Sequence, residues 1–285
     1  MTGLREAVRA ATQQLAQAGV ASAPVDALVL AAHALEISVS EARRLLVLDG
    51  PAPPESFADL VAERVRRVPL QHLTGEAHFR QLTLAVGPGV FVPRPETETL
   101  VSLALAAIAQ APNPVVVDLA SGSGVIAFAI KQECPHARVY AAEADPGAHA
   151  WAELNRSRLG LDVELTLGDG RAAYPLLERT VDLVTCNPPY VPDGATPRDP
   201  EVRDHDPALA LYGGPDGLTL PAALAARAAQ LLRAGGVLVM EHGELQGPAL
   251  LRRLAATGDW RAATDHADLT GRPRVVVAER SEAPT

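Results

Sequence analysis

Apolar residues recur at steps of three and four from the start of the chain: Leu4, Val8, Ala11, Leu15 and Ala18 fall on one face of a helix. The same spacing predicts helices over 24–35, 40–48 and 57–68, and Ser38 followed by Glu41 predicts a capping box at the third. Together these make a small helical domain over 1–74. Val68-Pro69-Leu70 marks its end. Residues 79–92 then read as two short extended runs around Gly87-Pro88-Gly89, a hairpin that predicts a linker over 75–92. From residue 93 the period changes. Short apolar runs (VVVDLA, RVYAAEA, VELTLGD, DLVTCNPP, VLVMEHG) alternate with helical ones, which predicts an α/β domain over 93–285, a largely parallel sheet covered on both faces. Residues 260–280 hold two strand-like runs joined at Gly271 to Pro273, a terminal hairpin with one antiparallel strand, and 281–285 read as a loose tail.

Composition narrows the function. Of 285 residues 48% are apolar and 21% charged, which excludes a disordered or fibrous chain. Twenty-five Lys and Arg against 34 Asp and Glu give a net charge of -9, so no nucleic-acid partner held mainly through phosphates is expected. Cys134 and Cys186 have neither disulfide nor zinc spacing, and the eight histidines show no ligand pairing, so no metal is expected. The first twenty residues lack the apolar core of a signal peptide and no run approaches 18 apolar residues, so the expectation is a cytoplasmic protein with no membrane partner.

Two stretches carry chemistry. In the first, the strand 115–119 runs into Ala120-Ser121-Gly122-Ser123-Gly124 and then a helix. Ligands bind at such carboxyl ends of parallel strands. Gly122-Ser123-Gly124-Val125-Ile126-Ala127 fits the G-x-G-x-x-A pattern, and Glu143 lies where a ribose-binding acid belongs, so a nicotinamide enzyme competes. Asp118 separates the readings. A carboxylate there sits badly beside a pyrophosphate and well beside an ammonium group, which favours a ligand with an amino acid moiety such as S-adenosylmethionine. On strand order, Asp169 and Gly170 would lie near its adenine.

In the second stretch, the strand 181–186 runs into Asn187-Pro188-Pro189-Tyr190. The two prolines restrict their own φ and that of their predecessors, holding the Asn187 carboxamide and the Pro188 carbonyl with little freedom. Two fixed acceptors suit a planar amide or an aromatic amine: both N–H hydrogens are accepted, the nitrogen is oriented, and pyramidalisation is favoured without a strong base. Tyr190 is expected to stack on the flat substrate. Glu241, at the end of a late strand, is either a support for this site or a capping acid.

These residues resemble the HemK or PrmC family, the N(5)-glutamine methyltransferases of peptide chain release factors. The resemblance spans nearly the whole chain: Pro69-Leu70-Gln71-His72-Leu73-Thr74-Gly75, Pro93-Arg94-Pro95-Glu96-Thr97-Glu98, the glycine turn, NPPY, Gly213-Gly214-Pro215-Asp216-Gly217-Leu218, Glu241-His242-Gly243 and Asp268-Leu269-Thr270-Gly271-Arg272-Pro273-Arg274. It implies a seven-stranded Rossmann-like class I methyltransferase domain with a small N-terminal helical domain that helps recognise the substrate. By resemblance the cofactor is S-adenosylmethionine, contacted by Ala120, Ser121, Gly122, Ser123, Gly124, Glu143, Gly170 and Asn187, to which the reading of the strand ends adds Asp118 and Asp169. Phe91 and residues 93–98 would wall the pocket, Phe91 and Arg94 on the cofactor side. The partners implied are class 1 release factors, whose Gly-Gly-Gln glutamine would meet Asn187, Pro188, Pro189 and Tyr190, with Asn187, Pro188 and Tyr190 catalytic; a monomer is expected. The alternatives are a ribosomal-protein glutamine methyltransferase and, further off, a nucleic-acid amine methyltransferase.

The sequence departs from the family pattern in three places. Ala120 stands where Gly is usual, Glu143 where Asp is commoner, and Asp206-Pro207 replaces a usual Glu-Pro. Arg64, Arg66 and Arg67 read either as a helix-end cluster answering the dipole or as a docking patch for the release factor or ribosomal RNA.

Overall fold

A computed structural model describes residues 3–48 and 50–282, so the end of the expected tail, 283–285, lies outside the described residues. The chain divides into two units, one of 1–76 with 198–205 and one of 77–197 with 206–285. The expected linker hairpin thus belongs mostly to the larger unit, and a short segment from beyond NPPY belongs to the smaller.

The smaller unit holds α1 (Leu4–Gln17), α2 (Ala23–Ala34), α3 (Val39–Leu48), α4 (Ser56–Val65) and the short α5 (Leu70–Thr74). Leu4, Val8, Ala11 and Leu15 of α1 pack on Ala27, Leu30, Ala31, Phe57 and Val61, the face their spacing predicts. Ser38 Oγ accepts from the Glu41 amide at 3.1 Å, but the Glu41 carboxylate turns to Arg44, so only half of the capping box forms. The three arginines are no open patch. Arg64 is buried and pairs with Asp26 and Glu201, both at 2.7 Å, Arg67 pairs with Glu201 at 2.5 Å, and Arg66 pairs with Glu63. Burial works to raise the Glu201 carboxyl, but hydrogen bonds led by Arg67 outweigh it and hold it well below the carboxylate range. Glu201 lies on α9 (Pro200–His205), which explains why that segment sits with the helices.

The hairpin of β1 (Glu76–Phe79) and β2 (Leu82–Ala85) turns at Arg80-Gln81, not at Gly87-Pro88-Gly89. Arg80 takes φ 52°, and its guanidinium is fixed by Glu133 at 2.5 Å and by Ser102 Oγ at 2.8 Å. Gly87-Pro88-Gly89 lies beyond the hairpin, with Trp151 Nε1 donating to the Pro88 carbonyl at 3.3 Å.

The larger unit continues with α6 (Thr97–Ile108), β3 (Val115–Leu119), α7 (Val125–Glu133), β4 (Arg138–Glu143), α8 (Pro146–Leu159), β5 (Val163–Leu167), β6 (Val181–Cys186), α10 (Thr219–Leu231), β7 (Leu232–Glu241), α11 (Gly247–Thr257), β8 (Trp260–Ala267) and β9 (Pro273–Arg280). The sheet order is β5-β4-β3-β6-β7-β9-β8, with β9 antiparallel to both neighbours. The sequence pattern did not predict α11. Along β3, Val115, Val117 and Leu119 join the core under α10 and α11, while Val116 faces α6 and α7, the two-residue alternation of a strand covered on both faces. Among the described residues no single helix is long and apolar enough to cross a membrane.

Candidate active site

Strand register assembles the site. Leu119 pairs with Ala142 on one side and Cys186 on the other, and Cys186 pairs with Met240. One residue further, the ends of four adjacent parallel strands carry Glu143, Ala120, Asn187 and Glu241 in a row, at the sheet spacing of about 5 Å. The two stretches that the sequence singled out, 67 residues apart at Asp118 and Thr185, are joined directly: Thr185 Oγ1 donates to Asp118 Oδ1 at 2.8 Å.

The turn after β3 is a backbone cradle. Ala120, Gly122 and Gly124 have φ of 61°, 56° and 83°. A Cβ at Gly124 would run into the Phe128 ring, so only glycine fits there, while one at Gly122 would meet nothing within 4 Å. The Gly122 amide donates to Glu143 Oε2 at 2.7 Å and the Asp145 amide to Oε1 at 2.8 Å, so each carboxylate oxygen keeps lone-pair capacity for another donor. Gly170 packs against this turn: its added Cβ would lie 3.8 Å from the Ala120 nitrogen. The Asp169 carboxylate is gripped by Arg171 at 2.5 Å, and that hydrogen bond holds it below its ordinary pKa.

Asp118 is fully buried, and its Oδ2 has no hydrogen-bond partner, nor has the buried Ser121 Oγ. Burial raises the Asp118 carboxyl to about 7; the Thr185 hydroxyl pulls it back, and the Glu143 charge adds to the rise.

Asn187 is half-buried and Pro188 and Pro189 are buried. Asn187 Nδ2 donates to Thr97 Oγ1 at 3.3 Å, and its Oδ1 has no protein partner among the described residues. Tyr190 uses its hydroxyl to donate to Glu241 Oε1 at 3.3 Å, a fixed support that its expected stacking role did not foresee. Burial, with the Glu241 charge, pushes the Tyr190 hydroxyl above its usual pKa, so it stays protonated at neutral pH. The backbone of the motif is clamped from behind. Gln246 Nε2 donates to the Tyr190 carbonyl at 2.8 Å, and Gly217 lies so close to that carbonyl that a Cβ would overlap it. Arg94 lies 4.9 Å over the Phe91 ring and pairs with the buried Asp206 at 2.7 Å, which gives Asp206 a role the sequence left open. Gln246 carried no sequence signal, and Thr97 stood only in the 93–98 segment expected to wall the pocket, with no role of its own.

A family model described as the PrmC N-terminal domain matches residues 6–75, and one described as the methyltransferase small domain matches 81–199. The release factor glutamine methyltransferase of Mycolicibacterium smegmatis is 47% identical, covering 98% of this chain and 99% of that protein. The 4-amino-L-phenylalanine/4-methylamino-L-phenylalanine methyltransferase of Streptomyces pristinaespiralis is 39% identical, covering 92% and 90%. The solved structure of the hMettl16 catalytic domain in complex with MAT2A 3′UTR hairpin 6 superposes with a TM-score of 0.56 at 16% identity, over 79% of this chain and 83% of that one, a likeness of fold alone. With near-complete coverage by the first of these relatives and both of its domains recognised, the chain belongs to the family of release factor glutamine methyltransferases.

Proposed function

We propose that the protein methylates the side-chain amide nitrogen of the Gly-Gly-Gln glutamine of class 1 peptide chain release factors, with S-adenosylmethionine as donor, acting in the cytoplasm as a monomer. The observation that carries the reading is the row of strand ends: a carboxylate and a glycine cradle stand on one side of Asn187, whose own oxygen is unpaired.

The cofactor fits what is present. The open space at Gly122, the spare lone pairs of Glu143 and the two unpartnered buried oxygens of Asp118 and Ser121 suit a ligand with an ammonium group and ribose hydroxyls. Asp118, Ala120 to Gly124, Glu143 and Gly170 would hold it, and it supplies an electrophilic methyl on a sulfonium sulfur. The chain's own residues do the rest. Asn187 Oδ1 and the Pro188 carbonyl accept the two N–H hydrogens of a primary amide and aim its nitrogen, which is catalysis by position and fixed dipoles. Tyr190 keeps its proton, and the buried Glu241 is already bonded to Thr97 and Tyr190, so neither serves as a strong base.

The aromatic-amine relative supports a second reading, since a primary aryl amine presents the same two hydrogens to the same acceptors. Mass spectrometry separates them. A purified class 1 release factor incubated with the protein and methyl donor should gain one methyl on the Gly-Gly-Gln glutamine, while 4-amino-L-phenylalanine stays unmodified. Methylation of the free amine alone would overturn the first reading.

A further inference from the structure

Three hydrogen bonds behind Asn187 form a chain with a direction. Asn187 Nδ2 donates to Thr97 Oγ1 at 3.3 Å, Thr97 Oγ1 donates to Glu241 Oε2 at 2.7 Å, and the Tyr190 hydroxyl donates to Glu241 Oε1 at 3.3 Å. Thr97 and Glu241 are both 2% exposed, so water does not interrupt the chain. An asparagine amide has a donor end and an acceptor end of nearly equal shape, and only its partners decide which faces where.

We propose that Glu241, acting through Thr97, is the positioning residue that fixes the polarity of the Asn187 carboxamide, turning its oxygen and not its NH2 toward the substrate amide. The inference rests on the methyl-transfer reading above. An ionised carboxylate can only accept. Thr97 has one proton and spends it on Glu241, so toward Asn187 it can only accept as well. That leaves the Asn187 NH2 as the sole group able to face Thr97, and the oxygen free. Were the carboxamide reversed, its NH2 would oppose the N–H donors of a substrate amide, and the acceptor pair would be lost.

The groups around Glu241 set when this direction holds. Arg274 from β9 favours its charge, Glu96 from the segment ahead of α6 opposes it, and Cys186 and Tyr190 contribute neutral groups from β6 and the loop after it. His242, the residue just after β7, is engaged elsewhere, with Asp265 at 3.0 Å. Burial lifts the Glu241 carboxyl to about 7 against the hydrogen bond from Thr97. Below that pH the carboxyl becomes a donor, Thr97 is released to donate to Asn187, and the reversed amide satisfies the same number of hydrogen bonds.

The test uses the full-length protein with saturating methyl donor, comparing wild type with Glu241→Gln, Thr97→Val and Thr97→Ser across pH 6 to 8.5. A glutamine can donate or accept and imposes no direction; valine keeps the shape of Thr97 without its oxygen. Expected are a wild-type kcat that falls as pH drops below 7, a kcat lowered ~10–100-fold in both Glu241→Gln and Thr97→Val, and recovery of most of it in Thr97→Ser. The Glu241→Gln profile should lack the limb near pH 7. Cofactor affinity by calorimetry should stay within about twofold in all three. A second readout needs no substrate: the side-chain 15N–1H pair of Asn187, assigned by its loss in Asn187→Ala, should shift with a midpoint near pH 7 in wild type and not in Glu241→Gln. A wild-type kcat in Thr97→Val, or an Asn187 signal that stays still between pH 6 and 8.5, overturns the proposal. If no release factor is methylated but the Asn187 signal titrates and loses its titration in Glu241→Gln, the polarity device stands and the substrate assignment fails.

Discussion

Replacing Asp118 with Asn should stabilise the protein, and by more at high pH. Asp118 is fully buried, with one oxygen bonded to Thr185 and the other unpartnered. Its carboxyl sits at about 7 in the folded protein against an ordinary 3.8. The folded state therefore holds a proton that the unfolded state releases between pH 4 and pH 7. Stability from this group is complete below about pH 4, is lost as pH rises through 7, and is level above that. Asparagine resembles the neutral acid and has no such loss. Integrating the linkage relation between those two values, the gap between variant and wild type should widen by about 2–3 kcal/mol from pH 5 to pH 8. Urea unfolding of both proteins without ligand at the two pH values measures this, and any fixed difference between an acid and an amide at the site cancels. Cofactor affinity should fall in the same variant, because the unpartnered carboxylate oxygen is what an ammonium group would use. An unfolding gap that is the same at pH 5 and pH 8 would refute the account of Asp118.

Further outcomes follow from the same geometry. Glu143→Gln sets an NH2 against one of two backbone amides, at Gly122 or Asp145, and should weaken cofactor binding ~10–100-fold by calorimetry, with kcat at saturating donor little changed. Ala120→Gly removes a left-handed conformation from a residue with a Cβ and should raise stability by about 0.5–1 kcal/mol, read as a shift in the urea midpoint. Arg64→Ala leaves Asp26 and Glu201 buried without their shared cation and should destabilise the helical unit by about 3–5 kcal/mol, seen as early loss of protection of α2 and α4 in hydrogen exchange.

The periodicity of α1 and the alternation of strands and helices were enough to specify both architectures, because a strand buried on two faces and a helix buried on one leave different spacings of apolar residues. Gly122, Gly124, Glu143 and NPPY were legible for a related reason: a tight turn and a proline-stiffened strand end are local demands that few residue types meet. The sequence misplaced the hairpin turn. Gly87-Pro88-Gly89 is the stronger turn signal, yet the chain reverses at Arg80, whose partners Glu133 and Ser102 are 53 and 22 residues away. Arg64 and Arg67 failed as a surface patch in the same way, since their counter-ions Asp26 and Glu201 are distant in sequence. Sequence alone therefore determined the two motifs and most of the elements, each set by residues within a few positions of one another, though neither α11 nor the hairpin turn. Tertiary structure decided the register that brings Glu143, Ala120, Asn187 and Glu241 side by side, and the orientation of Asn187 through Thr97. Those depend on which polar groups meet when strands pair and helices dock, and a buried hydrogen bond takes its direction from the partner that folding supplies.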